Sequence, residues 1–207
     1  MAFGPAGWWP AQTPFEVCLG AILVQNTAWP NVERALAGLR ARGLLEPAAL
    51  ASLPQAELAE LLRPAGTFNV KARRVRAWLE FLHQDFGGRV ENLAGVPLGE
   101  LRPRLLQVHG LGPESADAIL LYAVGHPVFV VDAYTTRIFA RLGLARRQAG
   151  YDELQAFITS RLPEDAGLFN DYHAQLVRLA KEHCRVRPRC ATCPLEGVCL
   201  RRGVPMR

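Results

Sequence analysis

The amino-acid sequence predicts an all-α protein, and three observations carry that prediction. Apolar residues recur at helical spacing along almost the whole chain, Gly, Pro and Asn interrupt them at short intervals, and period-two alternation is nearly absent. The 207 residues are half apolar, which suits a compact globular protein rather than a disordered one.

The elements follow in order. Phe15, Val17, Cys18, Ala21, Ile22 and Val24 define a first helix, and Val32, Ala35, Leu36 and Leu39 a second. Further helices are expected over about 55–62, 68–86, 99–107, 113–124, 133–142, 151–160 and 168–183. Val128 to Val131 is the strand-like exception, short enough to be an extended connector. Residues 99–124 read as helix, tight turn, helix, with Gly110 and Gly112 in the turn and Pro113 opening the second helix. The cysteine-rich end is too small to own a core, so it must dock on other helices, and the N-terminal residues can join it.

The net charge of +5 favours an anionic partner. Basic residues cluster at Lys71, Arg73, Arg74 and Arg76, at Arg146 and Arg147, and at Arg185, Arg187 and Arg189. The chain has only two lysines, Lys71 and Lys181. That scarcity matters because a Schiff-base mechanism needs an amine, and a guanidinium cannot supply one. No apolar run is long enough to span a bilayer, and no signal-peptide pattern opens the chain. A cytoplasmic, nucleoid-associated location and no membrane partner are the expectation.

Three groups of residues have a chemical reading beside a structural one. Asp132 follows a buried-looking run and precedes a helix, where an Asp ordinarily caps; held at a cleft, the same carboxylate can stabilise an oxocarbenium-like sugar and activate water. The turn His109-Gly110-Leu111-Gly112 is either an ordinary helix-helix turn or a phosphate grip built from backbone N–H groups. Trp8 and Trp29 are either core residues or stacking planes which, with Gln25, hold a base taken out of the duplex.

Cys184, Cys190, Cys193 and Cys199 have the spacing C-x5-C-x2-C-x5-C, which points to a four-thiolate metal site and not to a secreted disulfide framework. Spacing alone does not separate zinc from an iron-sulfur cluster. Arg185, Arg187 and Arg189 lie in the first cysteine loop, either as a solvated basic loop or as phosphate contacts. Cys18, remote from the other four, reads as a small apolar core residue.

Taken together these residues resemble the endonuclease III superfamily of helix-hairpin-helix DNA glycosylases. The resemblance rests on Gln25-Asn26-Thr27, Gly66-Thr67-Phe68-Asn69-Val70-Lys71-Ala72, the hairpin at 108–116, Val131-Asp132 and the terminal cysteines. It implies a six-helix barrel domain over 13–127, containing the helix-hairpin-helix at 99–124. A second helical domain would comprise 1–12 and 128–207, with the four-cysteine cluster at 184–199 holding [4Fe-4S] and zinc as the minor alternative. It further implies that Asp132 is the catalytic aspartate, that the hairpin grips DNA, and that Gln25 fills the gap left by a flipped nucleotide.

Bifunctional members of that family carry a lyase lysine at the position of Glu114, so the chain resembles an atypical member without it. Lys71 falls where the family uses a lysine to build the barrel. The pattern around Trp8, Gln25 and the hairpin is closer to the 3-methyladenine DNA glycosylase branch, where aromatic residues at the positions of Trp8 and Trp29 sandwich the base. The first cysteine interval is one residue shorter than the family's usual C-x6-C. The expectation is a monomeric, monofunctional glycosylase acting on double-stranded DNA that contains a damaged base, an alkylated purine above others. Its rivals are endonuclease III activity on oxidised pyrimidines with AP-lyase cleavage, and a non-catalytic lesion-binding iron-sulfur protein.

Overall fold

A computed structural model describes residues 9–204. Among them there are helices and turns and no strand. Among the described residues no helix is long and apolar enough to cross a membrane. The chain divides into two compact units, one spanning Trp9–His126 and the other beginning at Pro127.

In the first unit α1 (Pro14–Leu23) starts at Thr13, whose hydroxyl accepts the Glu16 N–H, with proline in the first turn. Every residue from Phe15 to Leu23 is buried, so α1 is the axis around which the unit is built. It packs against α2 (Trp29–Arg40), α5 (Phe68–Phe86) and the α7 region described below. Two short helices, α3 (Pro47–Ser52) and α4 (Gln55–Leu61), lie between α2 and α5; the sequence reading anticipated only the second.

α6 (Leu98–Gln107) and α7 (Pro113–Ala118) form the hairpin. A π-helical turn, Ile119–Val124, then continues α7 and ends at Gly125 in the left-handed region. The expected helix over 113–124 is thus two segments of different winding. A bidentate pair ties α6 to α7: Arg102 donates to both carboxylate oxygens of Asp117, at 2.7 and 3.1 Å. Asp117 is fully buried, so the pair is a clamp rather than a surface contact.

In the second unit the run 128–131 is buried and not paired as a strand; the Gln155 side chain donates to the Phe129 carbonyl, and the Val131 N–H donates to the Tyr151 hydroxyl. It leads into α8 (Ala133–Leu142), followed by α9 (Tyr151–Thr159) and α10 (Ala166–Glu182). Phe129 lies edge-on to Phe169 and Tyr172 of α10, and α8 packs along α10. The expected division at 127/128 with residues 1–12 assigned to the second unit differs at its edges from these units. Trp9 packs on Trp29 and Tyr122, and the Gln12 N–H donates to Glu16, so residues 9–12 belong with the first unit.

Candidate active site

Asp132 is the N-cap of α8. Its Oδ1 accepts the Thr135 N–H at 2.7 Å and the Thr135 hydroxyl at 2.8 Å, and its carbonyl accepts the Thr136 N–H. The cap consumes one carboxylate oxygen and leaves Oδ2, which His173 Nε2 of α10 approaches at 3.6 Å, an ion-pair distance rather than a hydrogen bond. Burial pushes the carboxyl upward, but His173 and the two Thr135 donors together outweigh it and hold Asp132 below the usual carboxylate range. Capping and chemistry therefore do not compete at this residue: one oxygen anchors the helix and the other is an ionised acceptor.

The hairpin turn places His109 at the surface and Leu111 in the core. Gly110 has φ +86, and a Cβ there would run into the aliphatic stem of Arg74. The Gln25 carboxamide is drawn into the same turn. Its Nε2 donates to the Gly110 carbonyl at 3.1 Å and to the Ser115 hydroxyl at 2.8 Å, while the Arg74 guanidinium donates to its Oε1. Ser115 in turn donates to the Ala21 carbonyl at 3.2 Å, so α1 and the hairpin are joined through a polar chain.

The two lysines differ in setting, Lys71 lying in the first unit and Lys181 in the second. Lys71 is buried, and its Nζ donates to the Ala65 carbonyl at 2.5 Å, closing the turn at 63–67 on which α5 begins. Desolvation, then the nearby Arg74 charge, push its pKa down. Lys181 lies in the last turn of α10. Glu114 is exposed in the first turn of α7, where a carboxylate suits the positive end of the helix.

Trp29 meets Trp9 edge-to-face with centroids 5.2 Å apart, and Trp9 lies 5.0 Å from Tyr122. Trp8, the expected partner of Trp29, lies outside the described residues. Gly20 of α1 makes room for this aromatic group, since a Cβ there would sit 3.1 Å from Trp9 Nε1 and 3.2 Å from the Trp29 ring. Tyr122 and His173 were not singled out by the sequence reading. An isolated Tyr and an isolated His on apolar helices carry no local signal, and each acquires a neighbour only through long-range packing.

Cys184, Cys190, Cys193 and Cys199 line one cleft, together with Arg141 and His183. Arg141 Nη1 donates to Cys184 Sγ at 3.3 Å and to the Arg185 carbonyl at 2.6 Å, Nη2 donates to the Val186 carbonyl at 3.0 Å, and the Arg141 carbonyl accepts the Arg202 N–H. Arg137 Nε donates to the Cys184 carbonyl at 2.8 Å. Among the described residues no set of three or more His, Cys, Asp or Glu side chains is arranged to hold a metal ion. Arg185, Arg187 and Arg189 are exposed, with Arg185 Nε returning to the Lys181 carbonyl.

A helical unit with a glycine hairpin, and a second with an aspartate capping a helix, define a helix-hairpin-helix protein. The HhH-GPD superfamily base excision DNA repair protein model matches residues 19–164, and the chain belongs to that superfamily. It is 42% identical over 200 residues to the candidate DNA repair glycosylase MJ1434 of Methanocaldococcus jannaschii, covering 96% of this chain and 90% of the relative. Among solved structures it is similar to the H. pylori 3-methyladenine DNA glycosylase MagIII bound to 1,N6-ethenoadenine, with TM-score 0.76, 33% identity, and 87% and 91% of the two chains covered. A non-covalent endonuclease III–DNA complex shares the fold with TM-score 0.79 at 24% identity, covering 91% of this chain and 84% of that one. These relationships support DNA glycosylase activity in general.

Proposed function

We propose that the protein is a monofunctional DNA glycosylase that flips a damaged base from duplex DNA, an alkylated purine above others, and hydrolyses its N-glycosidic bond. The observation that carries this reading is the Asp132 carboxylate, ionised and capped through Oδ1 with Oδ2 left over. As the C1′–N bond breaks and the base departs with the electron pair, the carboxylate offsets the charge developing on the sugar. Water then forms the C1′–O bond, and its proton passes to Asp132. A base that is already cationic leaves without prior protonation.

The hydrolytic assignment is supported by Glu114 at the family's lysine position and by the engagement of Lys71 with Ala65. Preference for an alkylated purine is supported by the similarity to MagIII and by the Trp29, Trp9 and Tyr122 group, because an aromatic face attracts a cationic ring. In this reading the backbone of His109 to Gly112 and the guanidiniums of Arg185, Arg187 and Arg189 hold phosphates. Trp8 and Trp29 contact the base, and Gln25 leaves the hairpin to enter the vacated stack. The protein acts as a monomer.

The same reading assigns a [4Fe-4S] cluster to Cys184, Cys190, Cys193 and Cys199. Cluster ligands bind different irons and need not converge on one ion position, whereas a tetrahedral zinc draws all its sulfurs to about 2.3 Å from one point. The cleft shared by the four cysteines supports a four-thiolate site, and the resemblance to endonuclease III supports the cluster as its occupant. Bound there, the group would tie the segment together. Iron and sulfide analysis with absorbance near ~400 nm decides between them; a colourless protein with stoichiometric zinc overturns the cluster.

The functional test is single-turnover base release from duplexes containing 3-methyladenine, thymine glycol or a mismatch, with borohydride trapping in parallel. Release of 3-methyladenine without a trapped adduct is expected. A Lys-dependent adduct on oxidised pyrimidines would establish the lyase alternative. Lesion binding unaccompanied by release from any duplex would establish a non-catalytic protein.

A further inference from the structure

We propose that His173 is a positioning residue for Asp132, holding Oδ2 of the carboxylate ionised and aimed as the proton acceptor. This rests on the reading of Asp132 as the catalytic residue. Three observations carry it. The first is the asymmetry of the carboxylate: Thr135 saturates Oδ1 through two donors, so the rotation of the group is fixed and Oδ2 is the oxygen left for chemistry.

The second is that His173 Nε2 addresses that remaining oxygen, at 3.6 Å. The third is seclusion. His173 is 5% exposed on α10, a helix otherwise buried through apolar residues such as Phe169, Ala174 and Val177, and its ring stands edge-on to Phe129 of the connector that delivers Asp132. An imidazole placed in such surroundings costs desolvation that an apolar residue would avoid. The neighbouring carboxylate gives it an electrostatic partner.

The chemistry follows from this geometry. Attack of water on the sugar transfers one proton to Asp132 Oδ2, and the carboxylate is an effective acceptor only while ionised and fixed in direction. His173 supplies both conditions from behind, without touching the substrate. The groups facing Asp132 are Thr135 of α8 and His173 of α10.

The test compares two amides of different reach. In His173→Gln the side-chain nitrogen falls where Nε2 stands, whereas in His173→Asn it falls near Nδ1 and stops short of Oδ2. Single-turnover base release is measured beside affinity for an abasic-site duplex. The expected result is a rate reduced by roughly tenfold or more in His173→Asn, at unchanged affinity, with His173→Gln recovering most of it. Equal rates in the two variants, fast or slow, overturn the proposal.

A second measurement is independent of any base release. The ¹³C-carboxyl titration of Asp132 is expected to move up in His173→Asn relative to wild type and to stay down in His173→Gln. An unmoved titration in His173→Asn overturns the positioning role. If wild type releases no base but the titration behaves as expected, the glycosylase reading fails while the contact between His173 and Asp132 stands.

Discussion

Every residue of α1 from 15 to 23 is buried, whereas no residue from 181 to 204 is. The two stretches hold their shape by different physics. α1 is secured by removal of apolar surface from water, worth about 1.5 to 3 kcal/mol for each large side chain. The cysteine segment has almost nothing of that kind. Its fixed points are the guanidiniums of Arg137 and Arg141 and whatever the four sulfurs bind. Burial spreads a perturbation through a whole unit, while ligation and hydrogen bonding confine it.

Replacing a sulfur breaks the comparison most severely. Cys193→Ser should abolish metal content and remove amide protection across 184–204, while the core of Trp9–His126 keeps its protection; hydrogen exchange read segment by segment checks both halves. The reverse experiment is Leu19→Ala in α1, where a fully buried side chain leaves a cavity. A loss of about 3 kcal/mol in the unfolding free energy of that unit, read from denaturant titration, is expected, with any bound metal unchanged.

A smaller, local effect is expected from Arg141→Met, which keeps the stem and deletes the donors. Limited proteolysis should cut within 184–204 faster, consistent with about 1 to 2 kcal/mol of lost hydrogen bonding, and the thermal midpoint of Trp9–His126 should not move.

The smallest effect concerns Asp132, which is half-buried and polar. Its folded pKa lies below the unfolded value, so its ionised form stabilises the fold above the ordinary carboxylate range. That contribution disappears as pH falls through the depressed folded value. Asp132→Asn keeps a competent cap and removes the charge. The stability advantage of wild type over the variant should be present near neutrality and vanish in acid, as read from denaturation midpoints across pH.

Periodicity made the long helices legible, and α1, α2, α5, α8 and α10 fall close to where apolar spacing puts them. α3 escaped because Pro47–Ser52 is too short to display a period, and the π-helical turn at 119–124 escaped because a run of apolar residues looks the same in either winding. At the candidate site, residues with local signatures were readable: Asp132 before a helix, Gly110 in a turn, cysteines at close spacing. Contacts made across long stretches of sequence were not. Nothing near residue 173 announces Asp132, and nothing near residue 71 announces that its amine closes the turn at Ala65.

The crossing of Arg74 over Gly110 has a genetic consequence. Position 110 is constrained twice, by a backbone conformation that side chains rarely adopt and by a stem occupying the space where a Cβ would go. Shortening Arg74 relieves the second constraint and leaves the first. The two positions should therefore behave as an epistatic pair in a mutational library: Gly110→Ala harmful alone, and partly tolerated only on an Arg74→Ala background.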